Sequence, residues 1–323
     1  VHQAHEAGAD YKAELARLDP VLLRVVRHRL RQAHVRADQG ARPAMNEYDA
    51  LRGLTGLGHL LTLRAPDSDE LRDVLSYLVR LTEPDHLDDG SPVPGWWNPV
   101  GPSGRVQAAF PGGHANHGMA HGIGGPLALL SLAWTAGVRV EGNREAIERI
   151  CSWLDRWRHH GDGGTWWPYW ITAGQLHTGQ AVHGPQRPSW CYGAAGLGRA
   201  QQLAAHALND PERAVLAEQA VTDALTHPVA LGMLVDDSLC HGWAGHALVS
   251  HTTGIGNPQE LIAPILRDGD VEQVADRLLT PRRERPGIGF LEGGAGIATT
   301  LHTLGAGSGG SWFSSFLMGG NRG

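Results

Sequence analysis

The sequence predicts an all-α fold, an α/α toroid in which a ring of inner helices is wrapped by outer ones. Three observations carry this. A Gly-x-x-Gly pair followed by an apolar run recurs at Gly53 and Gly56, Gly122 and Gly125, Gly193 and Gly196, Gly242 and Gly245, and Gly293 and Gly296, at intervals of 69, 71, 49 and 51 residues. The runs are small and almost uncharged, as in residues 126–133, which suits helices buried on most of their circumference. Charged amphipathic segments lie between them, and no convincing alternating strand appears. Each inner helix would begin at glycines that let backbones approach closely near the axis and leave N-terminal amides free.

The elements follow in order. Residues 11–36 read as a charged amphipathic helix without the basic-then-apolar pattern of a signal peptide. The chain begins at Val1 and little precedes Asp49. Length alone leaves one large domain or two ordinary ones open, and the start at Val1 leaves a processed or cut chain open. Residues 144–159 place Ile147, Ile150, Cys151, Leu154 and Trp157 on one stripe. Asp210, Pro211 and Glu212 open the next outer helix with an N-cap, a proline at the first helical position and an acid in the first turn. Residues 272–279 form a third. The loops 88–116 and 160–189 are long and rich in Gly, Pro and Trp. Their tryptophans, Trp96, Trp97, Trp166, Trp167 and Trp170, either floor a cleft for a flexible ligand or close over the core. The Gly-rich stretch 305–310 leads into Trp312, Phe313 and Phe316, a last short helix folded back on the body.

Composition removes several function classes. With 323 residues, a net charge of −6 and no dense run of Lys or Arg, the chain lacks the basic face of a nucleic-acid binder. Its longest apolar stretch, 125–138, is too short to span a bilayer. Three widely spaced cysteines make no disulfide framework, which points to a reducing cytoplasm.

Two of those cysteines carry the chemistry. Cys240 and His241 stand together just before Gly242, and Cys191 takes the matching place before Gly193. Two thiolates and an imidazole make a three-ligand set for zinc with the fourth position open. Sulfur ligands return charge to the metal, so such a site suits activation of a substrate thiol better than hydrolysis. Taken singly, each reads first as a small buried cysteine or a satisfied core histidine, and it is the adjacency of Cys240 and His241 with Cys191 in the matching position that favours a metal. Cys151, mid-helix on an apolar stripe, is read as core. A zinc-activated thiol needs an electrophile and a proton source. His121, before Gly122, lies at the same rim and can donate a proton to an enolate. His114 and His117, in the same loop, are rivals. Asp49, at the first rim, either orients such a partner or caps a helix. Arg187 and Tyr192 flank Cys191 and can hold developing negative charge.

These segments resemble the lanthionine synthetase C-like cyclases, the LanC family that closes thioether rings in lanthipeptides. The match runs through Tyr48 and Asp49 to Gly56, residues 116–125, the run Arg187-Pro188-Ser189-Trp190-Cys191-Tyr192-Gly193, residues 239–245 and residues 290–296, in the family's order. The resemblance implies zinc held by Cys191, Cys240 and His241, with His121 as acid/base and Asp49, Arg187 and Tyr192 lining the site. It implies addition of a peptide cysteine to dehydroalanine or dehydrobutyrine. The implied partners are a dehydrated precursor peptide, a separate dehydratase and an exporter, in the cytoplasm or at the periphery of a membrane-associated complex. The resemblance also implies one domain over 1–323, with an N-terminal helical segment, 1–45, that is short for the family and expected to be truncated. Five Gly-x-x-Gly repeats stand where the family builds seven helix pairs. The other two are expected to be degenerate or partly supplied by residues 11–36. No leader-binding insertion is legible. Three other readings stay open. They are a zinc-dependent prenyltransferase, a glycosidase built on paired carboxylates, and a non-catalytic peptide- or glutathione-binding member of the fold.

Overall fold

The computed structural model describes residues 1–180, 184–267, 269–280, 287–306 and 311–319, so residues 307–310 of the Gly-rich stretch lie outside the described residues. The helices that build the ring are α1 (Lys12–Asp38), α2 (Leu54–Arg64), α3 (Asp69–Arg80), α4 (Gly124–Thr135), α5 (Asn143–Arg156), α6 (Ala194–Leu208), α7 (Pro211–Thr226), α8 (Trp243–Thr253), α9 (Val271–Leu279) and α10 (Gly294–Ala306). The inner helices α2, α4, α6, α8 and α10 touch in that order. Outside them α3, α5, α7 and α9 pack against α2, α4, α6 and α10 respectively. Burial follows the sequence pattern. In α4 residues Gly124 to Ser131 are all buried, whereas α5 buries only Asn143, Ala146, Ile147, Ile150, Cys151 and Leu154. Burial pushes the Cys151 thiol up to about 12, as befits a core side chain.

The glycine pairs answer a different need from the one expected. Gly193 caps α6 with φ −96° and ψ −174°, an extended backbone open to any residue. What excludes a side chain is space. A Cβ on Gly193 would stand 2.2 Å from the Ser189 nitrogen, and one on Gly196 would stand 1.9 Å from the Trp190 carbonyl oxygen. The same collision recurs between Gly245 and Leu239 and between Gly296 and Phe290, at 2.2 and 1.9 Å. Each rim loop thus folds back over the first turn of its own helix. The glycines make room first for that loop, and Gly125 and Gly296 also admit Ala50 and Leu239 of the neighbouring rim loop, at 3.2 and 3.1 Å.

Helix α1 packs on α2 and α3, clamped by Arg64 on Asp19 (3.0 and 2.6 Å) and Arg36 on Glu47 (2.7 to 3.0 Å). Among the described residues it is an outer helix with no Gly-headed inner helix of its own, because α2 is already paired with α3. Beside it a cavity of about 810 Å³, lined by Arg29, Gln32, Leu57, Leu60 and Leu63, leaves one side of α2 uncovered. Five Gly-headed inner helices are therefore what the described residues build.

Short strands were not foreseen. Three antiparallel pairs occur, Pro84–His86 with Pro92–Pro94, His114–Asn116 with Trp170–Thr172, and His159–Gly161 with Gly164–Trp166. At three residues each they are too short to show alternation in sequence. The second pair stitches the two long loops together, Ala115 opposite Ile171. Trp96, Trp97 and Trp167 are at most 1% exposed, so these rings belong to the core. Trp170 alone among the long-loop tryptophans stays half-buried, beside the site described below. Among the described residues no helix is long and apolar enough to cross a membrane.

The C-terminal segment does more than fold back on the surface. A 3-10 turn, Ser311–Phe316, enters among the inner helices. Trp312 donates to Thr303 of α10 (2.8 Å), Phe313 meets His251 of α8, and Arg199 of α6 donates to the Met318 carbonyl (3.0 Å). The Phe316 ring stands edge-on to Trp190, centroids 5.0 Å apart, directly behind Cys191. Phe316→Ala is expected to lower the free energy of unfolding by about 3 kcal/mol or more, the usual effect of emptying a buried phenylalanine site. Denaturant unfolding checks this. A change under about 1 kcal/mol would mean that the segment rests on the ring without supporting it.

Candidate active site

A ladder of backbone hydrogen bonds joins the rim loops. The N–H of Ala50 donates to the Ala120 carbonyl (3.0 Å), Ala120 to Cys191 (3.1 Å), Cys191 to Cys240 (3.3 Å) and Cys240 to Leu291 (2.8 Å). The ladder explains why cysteines 49 residues apart lie side by side. Each is the rung residue of its own loop, and His241 follows directly. The Sγ atoms of Cys191 and Cys240 and a ring nitrogen of His241 lie within 4.8 Å of one another. All three cysteines are unpaired thiols.

The electrostatics favour a captured cation. Hydrogen bonds with Cys240, then with His241 and Ser189, hold the Cys191 thiol well below the ordinary range against the effect of burial. Its partner Cys240 is driven the other way, first by that same hydrogen bond and then by burial. Asp236, followed by Cys191, raises the His241 imidazole to about 9. Burial would raise Asp236, but hydrogen bonds from His241 and Ser238 hold it below the usual carboxylate range. The cluster therefore sets a thiolate and a carboxylate around one imidazolium. A divalent zinc replaces those acidic protons with a larger charge. Zinc bonds of about 2.0 to 2.3 Å put tetrahedral donors roughly 3.5 to 3.8 Å apart. Donors within 4.8 Å need draw in by only about 1 Å, so the set fits zinc.

On the neighbouring rung His121 Nδ1 lies 2.8 Å from Asp49 Oδ2, with Asp49 only 2% exposed. The other oxygen, Oδ1, accepts the N–H groups of Leu51 (3.1 Å), Arg52 (2.5 Å) and Gly53 (2.8 Å). Both readings of Asp49 thus hold at once: it closes the turn before α2 and turns its free oxygen to His121. Because a carboxylate only accepts, Nδ1 is the donor and Nε2 is the atom left for proton transfer. The side chain of His121 is 33% exposed, open to a substrate.

The rival histidines are structural. His117 bonds the Pro168 carbonyl through Nδ1 and accepts from Trp153 at Nε2, both at 2.8 Å, and burial lowers it to about 4. His114 is fully buried, bonds the Val100 carbonyl at 2.8 Å and is likewise lowered to about 4 by burial. The Tyr192 ring stands 6.1 Å from that of His121, its hydroxyl pushed by burial up to about 12 and so kept protonated. Tyr169 and Trp170 continue outward from Tyr192 at 5.4 and 6.2 Å, a half-buried aromatic wall. Arg187 Nη1 lies 3.8 Å from Asp236 Oδ2. The structure thus links Asp49 with His121, and Cys191 with Cys240 and His241, at one rim, with Tyr192 and Arg187 beside them. Sequence reasoning missed Asp236 and Ser189. Ser189 sits two residues before Cys191, its Oγ 3.4 Å from the sulfur and 3.2 Å from the Tyr192 N–H.

A profile of the family described as lanthionine synthetase C-like protein matches residues 1–317. The chain belongs to that family. The nisin biosynthesis protein NisC of Lactococcus lactis subsp. lactis is 22% identical to this LanC-like chain over 263 residues. That match takes in 79% of the chain and spans 60% of the length of that relative. A solved structure of nisin cyclase superposes with a TM-score of 0.74 at 20% identity, covering 98% of this chain and 76% of the other. The toroid of this LanC-like protein is therefore the fold of a known structure.

Proposed function

We propose that this LanC-like protein is a zinc-dependent lanthipeptide cyclase that adds peptide cysteine thiols to dehydroalanine or dehydrobutyrine, forming lanthionine or methyllanthionine. One observation carries the reading. A Cys191–Cys240–His241 donor set and a His121–Asp49 pair occupy adjoining rungs of one backbone ladder. Zinc held by the three ligands supplies a substrate thiol in its deprotonated, nucleophilic form. The remaining work falls to side chains. Tyr169, Trp170 and Tyr192 offer a wall for a flexible peptide. Arg187 and the neutral Tyr192 hydroxyl are the groups we assign to stabilise enolate charge as sulfur bonds to the β-carbon. His121, its Nδ1 held by Asp49, takes up at Nε2 the proton the thiol loses and returns it to the α-carbon. The nisin names of its relatives agree with a peptide substrate, which this reaction takes in dehydrated form. The precursor, dehydratase and exporter belong to this proposal alone.

The test uses a dehydrated, cysteine-containing peptide. Addition moves one hydrogen from sulfur to carbon, so the free-thiol titre should fall while the mass stays constant. Prenyl transfer or hydrolysis would change the mass. Constant mass and constant thiol across several candidate peptides would leave a binding role in place of catalysis. A glycosidase is disfavoured by Asp49, whose two oxygens are committed to backbone amides and to His121.

A further inference from the structure

We infer that Asp236 is the positioning residue of the metal site, fixing which nitrogen of His241 binds and holding Arg187 beside it. The inference rests on reading Cys191, Cys240 and His241 as zinc ligands. Asp236 Oδ2 lies 3.2 Å from His241 Nε2 and 3.8 Å from Arg187 Nη1. Its other oxygen, Oδ1, accepts the Ser238 N–H at 2.8 Å, and its carbonyl accepts the Trp243 N–H at 3.1 Å. The carboxylate is therefore set by its own loop and does not depend on the imidazole for its direction.

The loop is itself anchored. Asp237, 4% exposed, pairs with Arg277 of α9 (2.5 Å) and with Arg267 (3.6 Å). A Cβ on Gly242 would come within 2.3 Å of both the Asp236 carbonyl oxygen and Oδ1, so the carboxylate packs directly against the start of the helix that follows the ligand loop. Two adjacent acids thus divide the labour, one pinning the loop to the outer layer and the other facing the rim.

The chemical consequence follows from the inventory of the imidazole. A carboxylate only accepts, so His241 meets Asp236 as an Nε2–H donor. The Nδ1 lone pair is then the one free for a metal. A ligand histidine whose other nitrogen is held by a carboxylate keeps its tautomer and ring orientation and is a more basic ligand. The same Oδ2 faces the Arg187 guanidinium, so one atom ties the metal ligand to the cation at the same rim.

The test is zinc affinity by competition with a chromophoric chelator, with no substrate present, on wild type, D236A and D236N. D236A is expected to bind zinc about 10- to 100-fold more weakly, the usual effect of removing such a partner. D236N, which keeps the size and an accepting oxygen, should lose less and keeps the test valid if D236A folds poorly. Nitrogen-15 spectra of histidine-labelled zinc protein should show His241 protonated at Nε2 in wild type and a weakened signature in D236A, which a merely structural acid would not produce. Affinities of both variants within about twofold of wild type, or His241 bound to zinc through Nε2, would overturn the positioning role. A wild-type protein that takes up no zinc would overturn the ligand reading and this inference with it, an outcome distinct from the others.

Discussion

Cys240→Ala is expected to leave the protein folded, without zinc and without cyclase activity, and Cys191→Ala to do the same. The reason is the division between backbone and side chain at the rim. The structural work of Cys240 is done by its N–H, which donates to Leu291, and by its carbonyl, which accepts from Cys191. Alanine retains both. The thiol contributes a ligand and the hydrogen bond that most lowers Cys191. Structural zinc sites hold their metal with about 10 to 16 kcal/mol over four ligands, so one thiolate is worth about 2.5 to 4 kcal/mol, roughly two to three orders of magnitude in affinity. The loss should exceed this share, because the remaining Cys191 then lacks the partner that stabilises its anion. Metal analysis after dialysis, alongside circular dichroism, separates the effects. Stoichiometric zinc in a folded Cys240→Ala protein would remove Cys240 from the ligand set.

What the sequence exposed and what it hid follow one physical line. The repeats were legible because each rim loop crosses its own helix too closely for any side chain, and only glycine satisfies that constraint. Cys191 and Cys240 were legible because they hold the same place in consecutive repeats. Asp49 was half legible: its residue type fitted a cap or a catalytic partner, and only the fold shows one oxygen for each. Asp236 was hidden. It stands four residues before Cys240 in an acidic pair, and nothing local says that one carboxylate turns to His241 and the next to Arg277. The C-terminal segment was hidden for a related reason, since an aromatic cluster in sequence does not reveal which helices it enters. Long-range placement of single side chains is what periodicity cannot supply.

His121→Asn is expected to separate chemistry from metal binding, with turnover falling by about 10²- to 10⁴-fold, the range for loss of a general acid, while zinc stays at one per chain. The loop of His121 is tied to the cluster by the Ala120 N–H on the Cys191 carbonyl, which the substitution leaves in place. Asp49→Asn should act in the same direction, because an amide in place of the carboxylate no longer enforces Nδ1–H on the imidazole. Asp49→Ala should also cost stability, since the N–H groups of Leu51, Arg52 and Gly53 lose their shared acceptor. The two Asp49 variants therefore differ in unfolding and agree in turnover if the pair works as read. Tyr192 is the nearest competitor for the proton, but burial pushes its hydroxyl up to about 12, which makes it a poor donor to a carbanion near neutral pH. Near-normal turnover in a zinc-loaded His121→Asn protein would take the proton transfer away from His121 and give it to solvent or to Tyr192. A Tyr192→Phe variant then decides between those two.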